Sequence, residues 1–248
     1  MKKFLYKNKM PLLLMMLLSL IVLILAIFNS RYEYESYIRM IKICEPSIMD
    51  VIGGSVNKCN LSIIFSILII LNVMYIISYK DIDVFVLKYK SVANYKKTML
   101  MKLTLFCIYI SIIYFVATYT YIVNTDLKLI NWDKINSYYC YYNHTQSNVG
   151  GYIALLFMYL YLLINLLLIT HIYYILYLLT KKKVMSMLIF IMGKTILFNI
   201  FHLNVVPQYI PRQYTGHTYI IYMLRYIIFF FLLVMIIYLV DFRKIRKE

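Results

Sequence analysis

Acidic side chains are scarce in this chain: ten Asp and Glu among 248 residues, and none in any of its six long apolar runs. That scarcity argues against a proton-driven carrier, which relays protons through carboxylates placed inside the membrane. Charge of either sign is thin, at 15% of residues against 63% hydrophobic, where a soluble domain carries about a quarter charged residues. So few charges cannot cover so much apolar surface in water. A mean hydropathy of +0.76 makes the bilayer the solvent. Six glycines and four prolines are too few for a β-barrel, whose short strands alternate polar and apolar residues between turns. No Gly-x-x-x-x-Gly-Lys-Ser/Thr loop is present to cradle phosphates, and no His-Glu-x-x-His metal motif or serine-nucleophile constellation. The four histidines, His144, His171, His202 and His217, are scattered. His202 and His217 flank one segment, but without a third ligand they make no convincing metal centre. The chain therefore reads as a non-enzyme with no catalytic residue and no cofactor or metal site of its own.

What the sequence does contain is hydrocarbon-length stretches. Six apolar runs cover Pro11–Phe28, Leu61–Ser78, Met99–Val123, Val149–Leu179, Val184–Val206 and Thr218–Val240. A helix rises about 1.5 Å per residue, so about 20 residues cross a core of roughly 30 Å. The expected fold is an all-α integral membrane protein of six transmembrane helices, forming one domain. The fourth run is too long for a vertical crossing and is expected to tilt or project. The first run follows a basic start but outlasts a signal h-region, and no small-x-small pattern follows it, so it reads as an uncleaved span.

The formal charge of +16 is a topology signal rather than a sign of nucleic-acid binding. Seventeen Lys and Arg fall in one alternating set of segments: the N-terminus, the link between runs two and three (counting Lys102 at the edge of run three), Lys181–Lys183 and the tail. The complementary set holds seven, nearly balanced by six acids. Because cationic loops stay inside, both termini are expected in the cytoplasm. Two outer loops then follow, Asn29–Asn60, with a short surface helix expected over Tyr32–Cys44, and Asn124–Asn148. The second holds the sole tryptophan, Trp132, and the cluster Tyr138, Tyr139, Tyr141 and Tyr142, which reads first as an interfacial aromatic belt. A third outer segment, His202–His217, reads as a half-inserted turn. Cys44, Cys59 and Cys140 lie in the outer loops and Cys107 in a span. A Cys44–Cys59 bridge would fit an oxidising exterior, but the spacing does not require it, so free thiols are expected.

Polar side chains at depth mark a candidate path. Lys194, eleventh in the fifth run, lies roughly 15 Å from the inner edge. A midplane cation is costly unless it finds a partner or water. With no carboxylate in the spans, Lys194 must snorkel, bond to groups such as Asn165, or face a wet cavity. Asn165 and His171 lie in the inner half of the fourth run. Arg225, in the outer third of the sixth, reads as snorkelling to headgroups. The inner segment Tyr79–Thr98 mixes Ile82, Val84, Phe85, Leu87, Tyr89, Val92 and Tyr95 with charges of both signs. It suits a short helix on the membrane face, either as a basic topology loop or as a docking helix for a cytoplasmic partner.

Taken together, MKKFLYKNK, the loop Asn29–Asn60, the segment Tyr79–Thr98 and HLNVVPQYIPRQYTGH resemble the membrane subunits of bacterial type-2 ATP-binding-cassette exporters. Those permeases share six spans, a basic N-terminal segment, a larger loop outside after span one, a cytoplasmic coupling helix after span two and a partly re-entrant outer segment between spans five and six. In the family's coupling motif Asp83 stands for the acid, Tyr89-Lys90-Ser91 for the middle, and Tyr95 with Lys96 or Lys97 for the close. Phe85-Val86 replaces the usual Gly-Thr. The resemblance implies an ATPase docking segment comprising Asp81, Asp83, Phe85, Leu87, Tyr89, Lys90, Ser91, Tyr95 and Lys96. It also implies ATP bound only on a separate ATPase subunit, a second permease chain, and a bacterial plasma membrane. A peptide, lipid or drug would be exported, or immunity to an antimicrobial peptide conferred. The rival expectations are a solute-capture subunit of an energy-coupling-factor importer and a non-transporting immunity or sensor protein that binds a peptide with its tyrosine-rich loops.

Overall fold

A computed structural model describes residues 2–77, 91–199 and 218–239. Among them the chain is all helical: α1 Lys2–Ile38, α2 Ile48–Leu61, α3 Ile63–Ile77, α4 Val92–Val123, α5 Tyr138–Asn143, α6 Gly151–Thr180, α7 Lys183–Asn199 and α8 Thr218–Leu239. Among the described residues, three helices are long and apolar enough to cross a membrane: Met16–Ile38 of α1, Ala93–Val123 of α4 and all of α6. The pair α2 and α3 passes the same test only together, and it is bent by 61°. Counting that pair as one span gives four. The α7 helix has 17 described residues, a length of about 26 Å. The segments 78–90 and 200–217, which hold most of the expected docking segment and the expected half-inserted turn, lie outside the described residues.

Two features depart from the expected outer loop Asn29–Asn60. First, α1 does not stop at Phe28 but continues through Tyr32 to Ile38, so no separate surface helix begins there. The polar turn survives because its charges are matched: Arg31 pairs with Glu35 one turn on at 2.8 Å, and Lys58 with Glu33 at 3.0 Å. Lys58 also sits over the Tyr32 ring, a cation–π contact. Second, the rest of the loop is largely the helix α2. Its start is a reciprocal cap. Ser47 Oγ accepts from the Asp50 backbone N–H at 3.4 Å, while the Asp50 carboxylate accepts from the Ser47 N–H at 2.8 Å and hydroxyl at 2.6 Å. This is the capping-box arrangement. Gly54 lies where a Cβ would meet the Glu33 carboxylate, so a small residue lets α1 and α2 approach.

The chain divides into two compact units, Met1–Cys59 with Tyr109–Tyr159, and Asn60–Ile108 with Leu160–Glu248. In the first unit, Tyr114 of α4 donates to the Ser55 carbonyl at 2.9 Å and accepts from Asn29 at 3.0 Å. One buried phenol thereby ties α1, α2 and α4. In the second unit, α6 ends where Lys181 takes a left-handed φ of 56° and donates its N–H to Tyr177 O at 2.8 Å. That closure leaves a very short link to α7, pinned by a 2.6 Å Thr180–Ser186 hydroxyl contact.

The α2–α3 break falls at Ser62, whose hydroxyl accepts from Phe65 N–H at 3.1 Å. It caps the new helix, a contribution of about 1 kcal/mol. Ser62→Ala is expected to lower the melting temperature of the detergent-purified protein by about 2–4 °C; an unchanged melting curve would remove the hydroxyl from the joint.

Candidate functional site

The α2–α3 break is a polar joint formed by Asn60, Ser62, Ser66, Asn165 and Lys194, all in the second unit. Where one helix ends, its last carbonyls lack the next turn's N–H groups. Here the cation of α7 reaches one of them, Asn60 O, and the first turn of α3, whose Ser62 carbonyl also accepts from the Ser66 N–H at 3.2 Å. Lys194 Nζ donates to Asn60 O at 3.0 Å, to Ser66 Oγ at 2.7 Å, and lies 3.5 Å from Ser62 O. A positive charge is favoured at a helix C-terminus, where the backbone dipole presents its negative end. That field explains how an apolar sequence holds Lys194 without an acid on α3, α6 or α7.

Asn165 of α6 enters the same cluster by another route. It does not meet Lys194 directly; its Nδ2 donates to Asn60 Oδ1 at 2.7 Å, so Asn60 joins the amide of α6 to the ammonium of α7. Both asparagines are fully buried, while Lys194 is half-buried. The Asn165 Oδ1 atom is buried without a hydrogen-bond partner among the described residues.

The third expected path residue, His171, has other neighbours. Its Nδ1 lies 2.7 Å from Leu167 O; a carbonyl only accepts, so Nδ1 carries the proton. Its Nε2 is then a bare acceptor, buried and without a partner among the described residues. The ring stands edge-on to Phe230 at 5.0 Å. Arg225, on α8, is exposed.

Of the expected docking segment, three residues are described. Ser91 caps α4 by accepting from Asn94 N–H at 3.1 Å. Tyr95 and Lys96, in the first turns of α4, are buried. Lys96 Nζ donates to the Tyr238 carbonyl at 3.1 Å, so the end of α8 also receives a lysine. Asp81, Asp83, Phe85, Leu87, Tyr89 and Lys90 lie outside the described residues.

The first unit holds a second site that periodicity did not reveal. Residues 44–50 and 124–148 knit into a folded layer: Glu45 N–H donates to Asn136 O at 2.7 Å, Tyr138 N–H to Glu45 O at 2.8 Å, and Ile48 N–H to Lys128 O at 2.9 Å. At its centre the Trp132 indole donates to Asp50 Oδ1 at 3.0 Å and stacks on Tyr139 with centroids 4.8 Å apart. Asp50, Trp132 and Tyr139 are all fully buried. Trp132 is thus a core residue, not a belt residue. Tyr138 packs against both Tyr37 and Tyr142, and Tyr142 against Tyr141. Tyr141 and Tyr142 are exposed. Burial holds the Tyr138 and Tyr139 phenols above their ordinary range, and burial with the nearby Asp50 carboxylate raises the Cys44 thiol. All four cysteines are free thiols. The sequence signal for this layer was the capping-box pattern Ser47-Ile48-Met49-Asp50 ahead of an apolar turn.

Among the described residues no group of three or more His, Cys, Asp and Glu is placed to hold a metal ion. No family model, curated protein or solved structure matches the chain.

Proposed function

We propose that the chain is the permease subunit of a bacterial ATP-binding-cassette exporter. It crosses the plasma membrane six times with both termini in the cytoplasm, and works with a separate ATPase and a second permease chain. The observation that carries this reading is the Ser62 break, held by an intramembrane lysine. Irregular backbone is tolerated at membrane depth only where protein buries it or it lines a wet cavity, and broken helices recur at transport sites. The joint gives one span a place to bend while Asn165 and Lys194 line its polar side. ATPase closure would press on residues 81–97 and pass through the start of α4 and the Lys96–Tyr238 contact to the end of α8. The cargo class is a peptide, lipid or drug.

The docking step is tested by Asp83→Lys. Membrane insertion should be retained and co-purification of the ATPase lost; co-purification at the wild-type level would sink the docking role. Orientation has a separate test. Cys140 is half-exposed, whereas Cys44, Cys59 and Cys107 are buried. A membrane-impermeant maleimide should therefore label intact cells at Cys140 alone, and label nothing in a Cys140→Ser variant. Absence of labelling in intact cells with labelling after lysis would invert the topology.

A second reading is favoured by the Tyr37–Tyr138–Tyr142–Tyr141 ring series. In it the outer layer presents tyrosines to a peptide, as a non-transporting immunity or sensor protein would. Peptide binding in cells that lack any associated ATPase would select it.

A further inference from the structure

Two buried polar atoms stand one turn apart on α6 with no partner among the described residues: His171 Nε2 and the Tyr174 hydroxyl oxygen. Both residues are fully buried. Around the helix axis Tyr174 falls between Thr170 and His171, about 40° from the first and about 60° from the second. Thr170 faces α4, where its hydroxyl lies 3.3 Å from Cys107 Sγ. His171 faces α8, its ring edge-on to Phe230 at 5.0 Å. Tyr174 is therefore aimed between those two helices, and Tyr95 of α4 is near enough to act on its phenol electrostatically. The start of α4 and the end of α8 meet at the Lys96–Tyr238 contact, which closes the triangle. All of these residues belong to the second unit. We infer that the interstice enclosed by α4, α6 and α8 is a binding site for one water molecule, held between His171 Nε2 and the Tyr174 hydroxyl.

The chemistry of the two ends specifies the occupant. With Nδ1 donating to the Leu167 carbonyl, Nε2 can only accept, whereas the phenol can donate or accept. Residues three apart on a helix have Cβ atoms about 5–6 Å from each other, and a helical side chain covers the turn N-terminal to its own Cα. The Tyr174 phenol thus leans over the turn that carries His171 without bonding to it. A water donates one hydrogen to Nε2 and accepts from the phenol, which satisfies both. No residue of α6 is charged, so that helix offers nothing to hold an ion. Left dry, the two groups would be stranded in apolar surroundings, where each unpaired polar group is costly. A buried water commonly has roughly two to four such partners. His171 is then the anchor of a wet point between three helices, separate from the Lys194 joint. The site would stand whichever way the chain crosses the membrane, and its failure would leave the exporter reading untouched.

The test starts from Tyr174→Phe, which removes the phenolic oxygen and keeps the ring. Were the hydroxyl unbonded, nothing would miss it, and the variant would melt at or above the wild-type temperature. With the water in place its removal strands Nε2, and the melting temperature of the detergent-purified protein should fall by about 2–4 °C. In a His171→Leu background the water has already lost its other holder, so adding Tyr174→Phe should shift melting by less than about 1 °C. An unchanged or higher melting temperature in the single variant, or an equal drop in both backgrounds, would overturn the site. His171→Leu also loses the bond to Leu167. Should it fail to accumulate, a density map of the wild type at a resolution that shows ordered waters decides. A peak within hydrogen-bond distance of both atoms is expected; a dry gap, or the hydroxyl lying directly on Nε2, would overturn the inference.

Discussion

Replacing Asp50 with alanine should unfold the layer formed by residues 44–50 and 124–148, shifting the emission of the chain's one tryptophan to the red at temperatures where the wild type is intact. The carboxylate is fully buried and accepts from the Ser47 N–H, the Ser47 hydroxyl and the Trp132 indole. Losing it strands three buried donors, each of which costs about 1–3 kcal/mol when left unpaired, more where the lost acceptor was ionised. The reciprocal cap of α2 disappears in the same step. Costs within one network do not add simply, so the expected total is about 3–5 kcal/mol. Asp50→Asn separates charge from hydrogen bonding. One amide oxygen still serves one donor, while the NH2 faces a donor where an acceptor stood, so an intermediate loss is expected. Trp132 fluorescence reads both variants directly because no second indole contributes. Wild-type emission and melting in Asp50→Ala would mean the layer is held by its apolar contacts alone.

The second large effect is expected at Lys194→Met. Removing the ammonium leaves Asn60 O and Ser66 Oγ without this donor at the end of a broken helix and withdraws the positive charge from α2's negative pole. Methionine is apolar and nearly as long, so packing along the stem is largely kept. The loss, about 2–4 kcal/mol, is then mainly electrostatic and hydrogen-bonding. The check is the fraction of folded, monodisperse protein in detergent together with its melting temperature. Asn165→Leu should cost less, because it removes one neutral hydrogen bond to Asn60 and also removes an unsatisfied oxygen. If Lys194→Met melted like wild type, the ammonium would be incidental to the joint.

Apolar length carried much of the architecture in the sequence. The cores of α3, α4 and α6 coincide with the second, third and fourth apolar runs, because in a bilayer length and hydropathy alone nearly determine a helix. Residues 29–60 were harder for a physical reason. Arg31, Glu33, Glu35 and Lys58 have the composition of a solvated loop, yet they pair with one another, and that matching happens only once α1 and α2 are side by side. The break at Ser62 falls at the start of the second apolar run, Leu61–Ser78, just after the polar stretch Asn57-Lys58-Cys59-Asn60. That boundary read as a loop entering a span, not as a joint between two helices. Only a lysine more than a hundred residues away makes the interruption tenable. Intramembrane polarity did single out Lys194 and Asn165. It could not supply Asn60, which reads as the last residue of a loop and is in fact the group that links them.

The Asp50–Trp132 contact joins residues 82 apart in the sequence, which sets an order of events during synthesis. At about 5–20 residues per second, the ribosome needs roughly 4–16 s after delivering the carboxylate to deliver the indole that completes its burial. Throughout that interval α2 has its own Ser47 cap but no lid, while α3 and α4 are being made. A nascent chain stalled before residue 132 would thus expose Asp50 to water, and one released later would not.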